Sequence, residues 1–242
     1  MNCDPIAGAY RWFEYIGFGR ALKRRREAFL NEVGDARRVL VLGDGDGRAL
    51  AALLRANREA TVDYVDLSAR MLELARGRAG SERVIYHRAD ALTIPLAQGE
   101  YDLIVTHFFL DCFEESDLRQ LTERIVRAAG PRARWLVSEF RKPGILVGLL
   151  YLFFRITTGL KTRRLVDHHA FLRRCGFRLS RAESAWFGHL SSELWTRAVY
   201  NESFDFKEAT DENAGPSYSP SRTLRFLREG RFGGSENPKN PR

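Results

Sequence analysis

Cysteine is scarce in this chain: Cys3, Cys112 and Cys175 are odd in number and widely separated. Such spacing offers no disulfide framework and no zinc-binding pattern, so a reducing, cytoplasmic setting is the expectation. The N-terminus lacks a basic start followed by an apolar core, which argues against a signal peptide. The one uncharged apolar run, residues 144–154, falls well short of the about 20 residues needed to cross a bilayer. No internal repeat is visible. What is abundant is positive charge, with 39 Lys and Arg against 31 Asp and Glu for a net charge of +8. With 242 residues and 44% hydrophobic content, the chain can bury one full core, which excludes a disordered or fibrous class.

The stretch Val39-Leu40-Val41-Leu42-Gly43-Asp44-Gly45-Asp46-Gly47-Arg48-Ala49-Leu50 reads as a buried strand, a glycine turn and a helix start. Glycines at alternate positions permit left-handed backbone and let a ligand approach the main chain. A nicotinamide-type G-x-G-x-x-G turn would need a third glycine where Arg48 stands. Asp44 and Asp46 would repel a pyrophosphate and attract a ligand carrying an ammonium and a sulfonium, as S-adenosylmethionine does. One βαβ unit later, Thr61–Asp66 reads as a second strand ending in an acid. There Asp66 can accept hydrogen bonds from both ribose hydroxyls, unless it only begins the following helix.

From Asp66 to Ala75 the sequence DLSARMLELA fits the pattern D-x-S-x-x-M-L-x-x-A of class I S-adenosylmethionine-dependent methyltransferases, which the chain resembles over residues 35–200. Ala89-Asp90-Ala91 and Tyr101–Thr106 follow in family order. The resemblance implies S-adenosyl-L-methionine as cofactor, with Gly43, Asp44, Gly45, Gly47, Asp66, Leu67, Met71, Asp90, Ala91, Thr106 and His107 around it. It also implies a Rossmann-like, doubly wound α/β fold: a seven-stranded sheet, mostly parallel, with the last strand antiparallel. One departure is Val41, where the family usually has an acid two residues before the first glycine; Asp44 is the candidate substitute.

Strand and helix signals alternate through strand 38–43, helix 47–57, strand 61–66, helix 68–78, strands 83–88 and 101–107, and helix 115–129 stopped by Gly130-Pro131. Strand 134–140 follows, then segments 177–184 and 192–199 as the sixth and seventh strands. Residues 1–34 are read as an N-terminal helical cap, 35–200 as the methyltransferase domain and 201–242 as a largely disordered polar tail. In the cap, helical from 10 to 33, Tyr10 and Trp12 are candidates for substrate contact or plain core packing. The run Lys23–Arg26 reads most simply as a solvated helix face.

Ligands of open α/β sheets bind beyond the carboxyl ends of the strands, which directs attention to residues 106–113. His107 is the best candidate for a general base, against a reading as a structural histidine at a strand end. Asp111 could orient it, touch the acceptor or cap the next helix. Phe108 and Phe109 could meet the sulfonium or an acceptor ring. Cys112 reads as a packed thiol. His168 and His169 beside Asp167 lack a third ligand at a telling spacing, so no metal is expected, and Asp167 reads as the cap of a helix running to Cys175.

The expected acceptor is a small molecule methylated at O, N or C, and the resemblance permits a lipophilic one. The residues after the fourth strand, Thr106-His107-Phe108-Phe109, lack the acid-or-Asn-Pro-Pro-aromatic pattern of DNA base methylases. A pI near 9.7 keeps an RNA acceptor open. A non-catalytic cofactor-binding role at a membrane or partner surface also stays open, because Val41 breaks the family pattern. Segment 144–154, with basic flanks, is read as a buried helix, an apolar lid or a peripheral membrane contact. No obligate protein partner is evident.

Overall fold

The computed structural model describes Asp4, residues 20–80, 82–141, Gly148 and 166–198. Tyr10, Trp12, the tail 201–242 and, apart from Gly148, the segment 144–154 lie outside the described residues.

Seven strands form one sheet in the order β3-β2-β1-β4-β5-β7-β6. These are β1 (Arg38–Leu42), β2 (Thr61–Asp66), β3 (Val84–Arg88), β4 (Tyr101–His107), β5 (Ala129–Phe140), β6 (Phe177–Ala185) and β7 (Leu190–Arg197). The first five are parallel, and β7 runs antiparallel to both β5 and β6. The expected seven-stranded doubly wound sheet is therefore the observed one. Strand order reverses at β1, so β1 and β4 diverge into the crevice where such sheets take ligands.

Alternation along each central strand sends side chains to two cores. Val39, Val41, Tyr64, Leu103, Val105, Leu136 and Leu194 join helix α2 (Arg48–Ala56) on one face. Leu40, Leu42, Ile104, Trp135, Val137 and Trp195 meet α4 (Glu115–Ala128) and α5 (His168–Arg174) on the other. Helix α4 buries Leu118, Leu121, Thr122, Ile125 and Ala128, a stripe at helical spacing. Helix α3 (Ala69–Ala79) is capped by Ser68, whose Oγ accepts the Met71 N–H at 3.1 Å. Asp66 is thus not the helix cap.

Two local expectations are corrected. Among the described residues helix α1 (Ala21–Glu27) ends short of the expected residue 33, because Phe29 takes a left-handed φ of 65°, and Leu30–Val33 then make a 3-10 turn. Within α1, Leu22 and Arg26 stand four residues apart on the buried face, so the basic run is not uniformly solvated. Arg25 also turns inward, pairing with Glu183 at 3.1 Å, while Lys23 pairs with Glu27 along the exposed side. The second correction is at Gly130-Pro131. Helix α4 does end at Ala128, but these residues already belong to β5, in the stretch where the pairing with β4 shifts register between Tyr101 and Leu103. A proline is tolerated there because the shifted ladder does not call on its missing N–H.

Candidate active site

The turn from β1 to α2 holds three left-handed glycines, Gly43, Gly45 and Gly47, at φ of 64°, 65° and 76°. At Gly47 a Cβ would lie 2.6 Å from the Cα of Ala75, so this glycine lets α2 and α3 approach. At Gly43 a Cβ would fall 2.1 Å from the Phe109 ring, so the ring rests directly on the main chain. The two acids of the turn differ. Asp46 is ion-paired with Arg48 at 2.8 Å and Arg78 at 3.0 Å, which neutralises it. Asp44 caps α2 by accepting the Leu50 N–H at 3.0 Å, while its Oδ1 is buried with no hydrogen-bond partner. Burial pushes the Asp44 carboxyl up to about 7 against the pull of Arg26.

Beyond the turn lies a cavity of about 270 Å³. Gly43, Gly45, Asp66 and Leu67 line one side of it; Met71, Asp90 and Ala91 extend the wall; and Phe108, Phe109, Cys112 and Phe113 supply an aromatic end. Asp66 ends β2 with its Oδ1 accepting the Ser68 N–H at 2.8 Å, and burial raises its pKa to about 6. Asp90 is exposed and accepts the Leu92 N–H at 2.9 Å. Phe108 takes a left-handed φ of 53°, a conformation costing a non-glycine residue about 1–2 kcal/mol. It is held there by donating its N–H to Ser138 O at 2.7 Å, by stacking on Phe140 and by the Arg26 guanidinium 5.0 Å above its ring.

Residues 39–132 match the family described as a methyltransferase domain. Over 175 residues the chain is 29% identical to the demethylmenaquinone methyltransferase of Clavibacter sepedonicus, covering 72% of this chain and 69% of that protein. It is 31% identical over 134 residues to the malonyl-[acyl-carrier protein] O-methyltransferase of Halorhodospira halophila, covering 55% of this chain but only 44% of that protein. The crystal structure of an S-adenosylmethionine dependent methyltransferase from Mesorhizobium loti shares the fold at a TM-score of 0.59 and 22% identity, over 75% of this chain and 98% of that one. These matches support a class I S-adenosylmethionine-dependent methyltransferase, with residues 39–132 as its methyltransferase domain.

The methyltransferase cavity suits its cofactor on its own terms. Left-handed glycines bare the main chain in the turn, a half-buried carboxylate stands at the end of β2, and Met71 and Ala91 are apolar parts of the lining. Gly43, Gly45, Asp66, Leu67, Met71, Asp90 and Ala91 are brought together on the lining. Gly47 and Asp44 sit beneath it and shape the turn. Thr106 is not on the lining: its buried hydroxyl accepts the Trp135 Nε1–H at 2.9 Å.

His107 is placed differently from a base titrating near neutrality. It shares the β4 face of Leu103 and Val105, behind the cavity, and neither ring nitrogen has a hydrogen-bond partner. Burial, helped by the charge of Arg26, pushes its pKa down to about 3, so the ring is neutral at physiological pH. Asp111 therefore does not orient it. Instead Asp111 lies against Glu139, whose carboxyl is held well above the usual range by burial and by that neighbouring charge. Glu139 Oε1 accepts the N–H groups of Phe109 at 3.1 Å and Leu110 at 2.8 Å, fixing the aromatic end of the cavity.

Asp167 caps α5 as expected, accepting the His169 N–H. The third group that the spacing of His168 and His169 does not reveal is Glu193, contributed by β7. Its carboxylate lies 3.0 Å from His168 Nε2 and 2.9 Å from His169 Nε2. It also accepts the Trp195 Nε1–H at 2.9 Å and faces Arg141 at 3.5 Å. These partners hold Glu193 far below the ordinary carboxylate range despite its burial. Arg26, Glu139 and Glu193 are thus the polar groups sequence reasoning missed. The one available signal was an acid or arginine on an otherwise apolar face: Glu139 alternates with Trp135 and Val137, and Arg26 follows Leu22 by one helical turn.

Proposed function

We propose that this methyltransferase transfers a methyl group to a small acceptor with an apolar body, bound at the aromatic end of the cavity. The observation that carries the reading is the division of one cavity into two chemistries. Asp66 and Asp90 stand toward the β2 side, and Phe108, Phe109 and Phe113 close the β4 side. Two relatives named for demethylmenaquinone and for malonyl-[acyl-carrier protein] support acceptors outside nucleic acid.

When bound, S-adenosylmethionine supplies a methyl group already activated by positive sulfur, so the protein's contribution is positioning, worth roughly 7–11 kcal/mol for two well-oriented reactants. Asp66 would accept the ribose hydroxyls and the glycine turn would receive the amino-acid end, with the buried carboxyl of Asp44 behind that turn as the candidate substitute for the acid absent at Val41. The faces of Phe108 and Phe109 favour a cation beside them and exclude water from the acceptor. A neutral His107 can take a proton only from an acceptor that reaches behind Phe108. The test is transfer of labelled methyl from S-adenosylmethionine to phenols, quinols, fatty acyl thioesters and transfer RNA presented separately. Labelled product from an apolar small acceptor is expected. Label appearing in RNA alone would overturn the reading.

A further inference from the structure

The turn joining β6 to β7 carries the most exposed aromatic residues of the described structure. Phe187 is 100% exposed and Trp186 41%. Both have a φ of 53°, and the Gly188 N–H closes the turn on Ala185 O at 3.1 Å. Three successive positive φ values, at Trp186, Phe187 and Gly188, wind the four-residue loop between the paired Ala185 and Leu190 in the left-handed sense that Asn and Gly adopt most readily. Two aromatics there are costly locally, yet the Phe187 ring stands wholly in solvent and the Trp186 ring partly so.

The location gives that protrusion meaning. Leu190, the first residue of β7, pairs with Phe140 at the end of β5, and the His189 carbonyl accepts the Arg141 N–H at 2.9 Å. The turn therefore sits at the carboxyl edge of the parallel strands, the edge that carries the cofactor cavity. From β4 to β7 is two strand spacings, about 10 Å.

We propose that Trp186 and Phe187 form a wedge that inserts into the surface of an anionic lipid bilayer, setting the cavity edge against the membrane. A flat protein partner would need about 800 Å² of surface on each side, whereas these two rings offer only about 150–250 Å² each on a convex tip. An aromatic tip of this kind suits the headgroup–acyl boundary, and the net charge of +8 attracts acidic lipid. Delivery of an acceptor from the bilayer rests on the proposed lipophilic acceptor; the wedge itself does not.

The decisive variant is Trp186→Asn/Phe187→Gly, because it removes the rings while supplying the sequence the turn prefers. Full-length protein is sedimented with vesicles of phosphatidylcholine containing phosphatidylglycerol, and with phosphatidylcholine alone. The wild-type chain is expected to bind the anionic vesicles, and the variant to bind at least tenfold more weakly with an unfolding midpoint no lower than wild type. Phe187→Ser should lose an intermediate amount. S-Adenosylhomocysteine titration of the same variants should be unchanged, separating this surface from the cofactor site. Wild-type protein that ignores anionic vesicles, or a double variant that binds them as well as wild type, overturns the proposal.

Discussion

Replacing Gly47 by alanine tests whether the turn glycines are demanded by conformation, by packing, or by both. At φ of 76° an alanine incurs about 1–2 kcal/mol of left-handed strain. Its Cβ would also lie 2.6 Å from both Cα and Cβ of Ala75, a helix backbone that cannot rotate away. Forcing α2 and α3 apart adds about 1–3 kcal/mol, as overpacking of a fitted core does. The expected loss is therefore about 2–5 kcal/mol, a large share of a typical 5–15 kcal/mol total. Gly176 provides the control, since its φ is 81° but a Cβ there would meet nothing within 4 Å. Gly176→Ala should show the strain of a positive φ alone, about 1–2 kcal/mol. Urea unfolding of the two variants beside wild type reads the difference directly, provided the m-values agree. Equal destabilisation by the two substitutions would refute the packing argument.

Asp44→Asn keeps an acceptor for the Leu50 N–H and removes a buried charge. A carboxyl raised to about 7 on folding holds its proton longer than in the unfolded chain, so its contribution to stability declines as pH rises from about 4 through 7. The variant should therefore gain on wild type at pH 8 and lose that gain near pH 4; a gain independent of pH would contradict the assignment. His107 works in the opposite sense, because a pKa lowered to about 3 makes the wild-type fold lose stability as pH falls below the unfolded value of about 6.5. The urea midpoint of His107→Gln relative to wild type should accordingly rise between pH 7 and pH 5, and a constant difference would show that the ring titrates normally. If His107 also serves as base, the same variant should lose about 10²–10⁴-fold in turnover while keeping cofactor affinity; undiminished turnover would retire that role. Glu139→Ala should loosen the Phe109–Leu110 corner and raise the KM for the acceptor more than it weakens cofactor binding, and matched losses in both would argue against a local positioning role.

Much of this architecture was legible because the strands are buried runs with clear punctuation. β2 and β4 fall at the residues expected, 61–66 and 101–107, and the glycine turn and the acid ending β2 meet on one cavity. What could not be read was the direction of charged side chains. Lys23–Arg26 looks uniformly solvated until Leu22 fixes which helix face is buried, and then Arg26 must follow it inward. His107 suggested a base by its place at a strand end, but strand parity puts it with Val105 behind the cavity rather than on its wall. Glu193 joins His168 and His169 only because β7 returns antiparallel beside β5, a long-range pairing that no local spacing encodes. The left-handed φ of Phe29 and Phe108 likewise answers tertiary contacts rather than local preference.

The central claim is that the cavity at the ends of β1, β2 and β4 holds S-adenosylmethionine with Asp66 on the ribose. Calorimetric titration of wild type and Asp66→Ala with S-adenosylmethionine, S-adenosylhomocysteine and NADH tests it most directly. The account predicts binding of both sulfur ligands and not of NADH, weakened by about 1–3 kcal/mol in the variant through loss of a charged acceptor to two hydroxyls. Equal affinity in the variant, or no binding of either sulfur ligand to the wild-type protein, would contradict it.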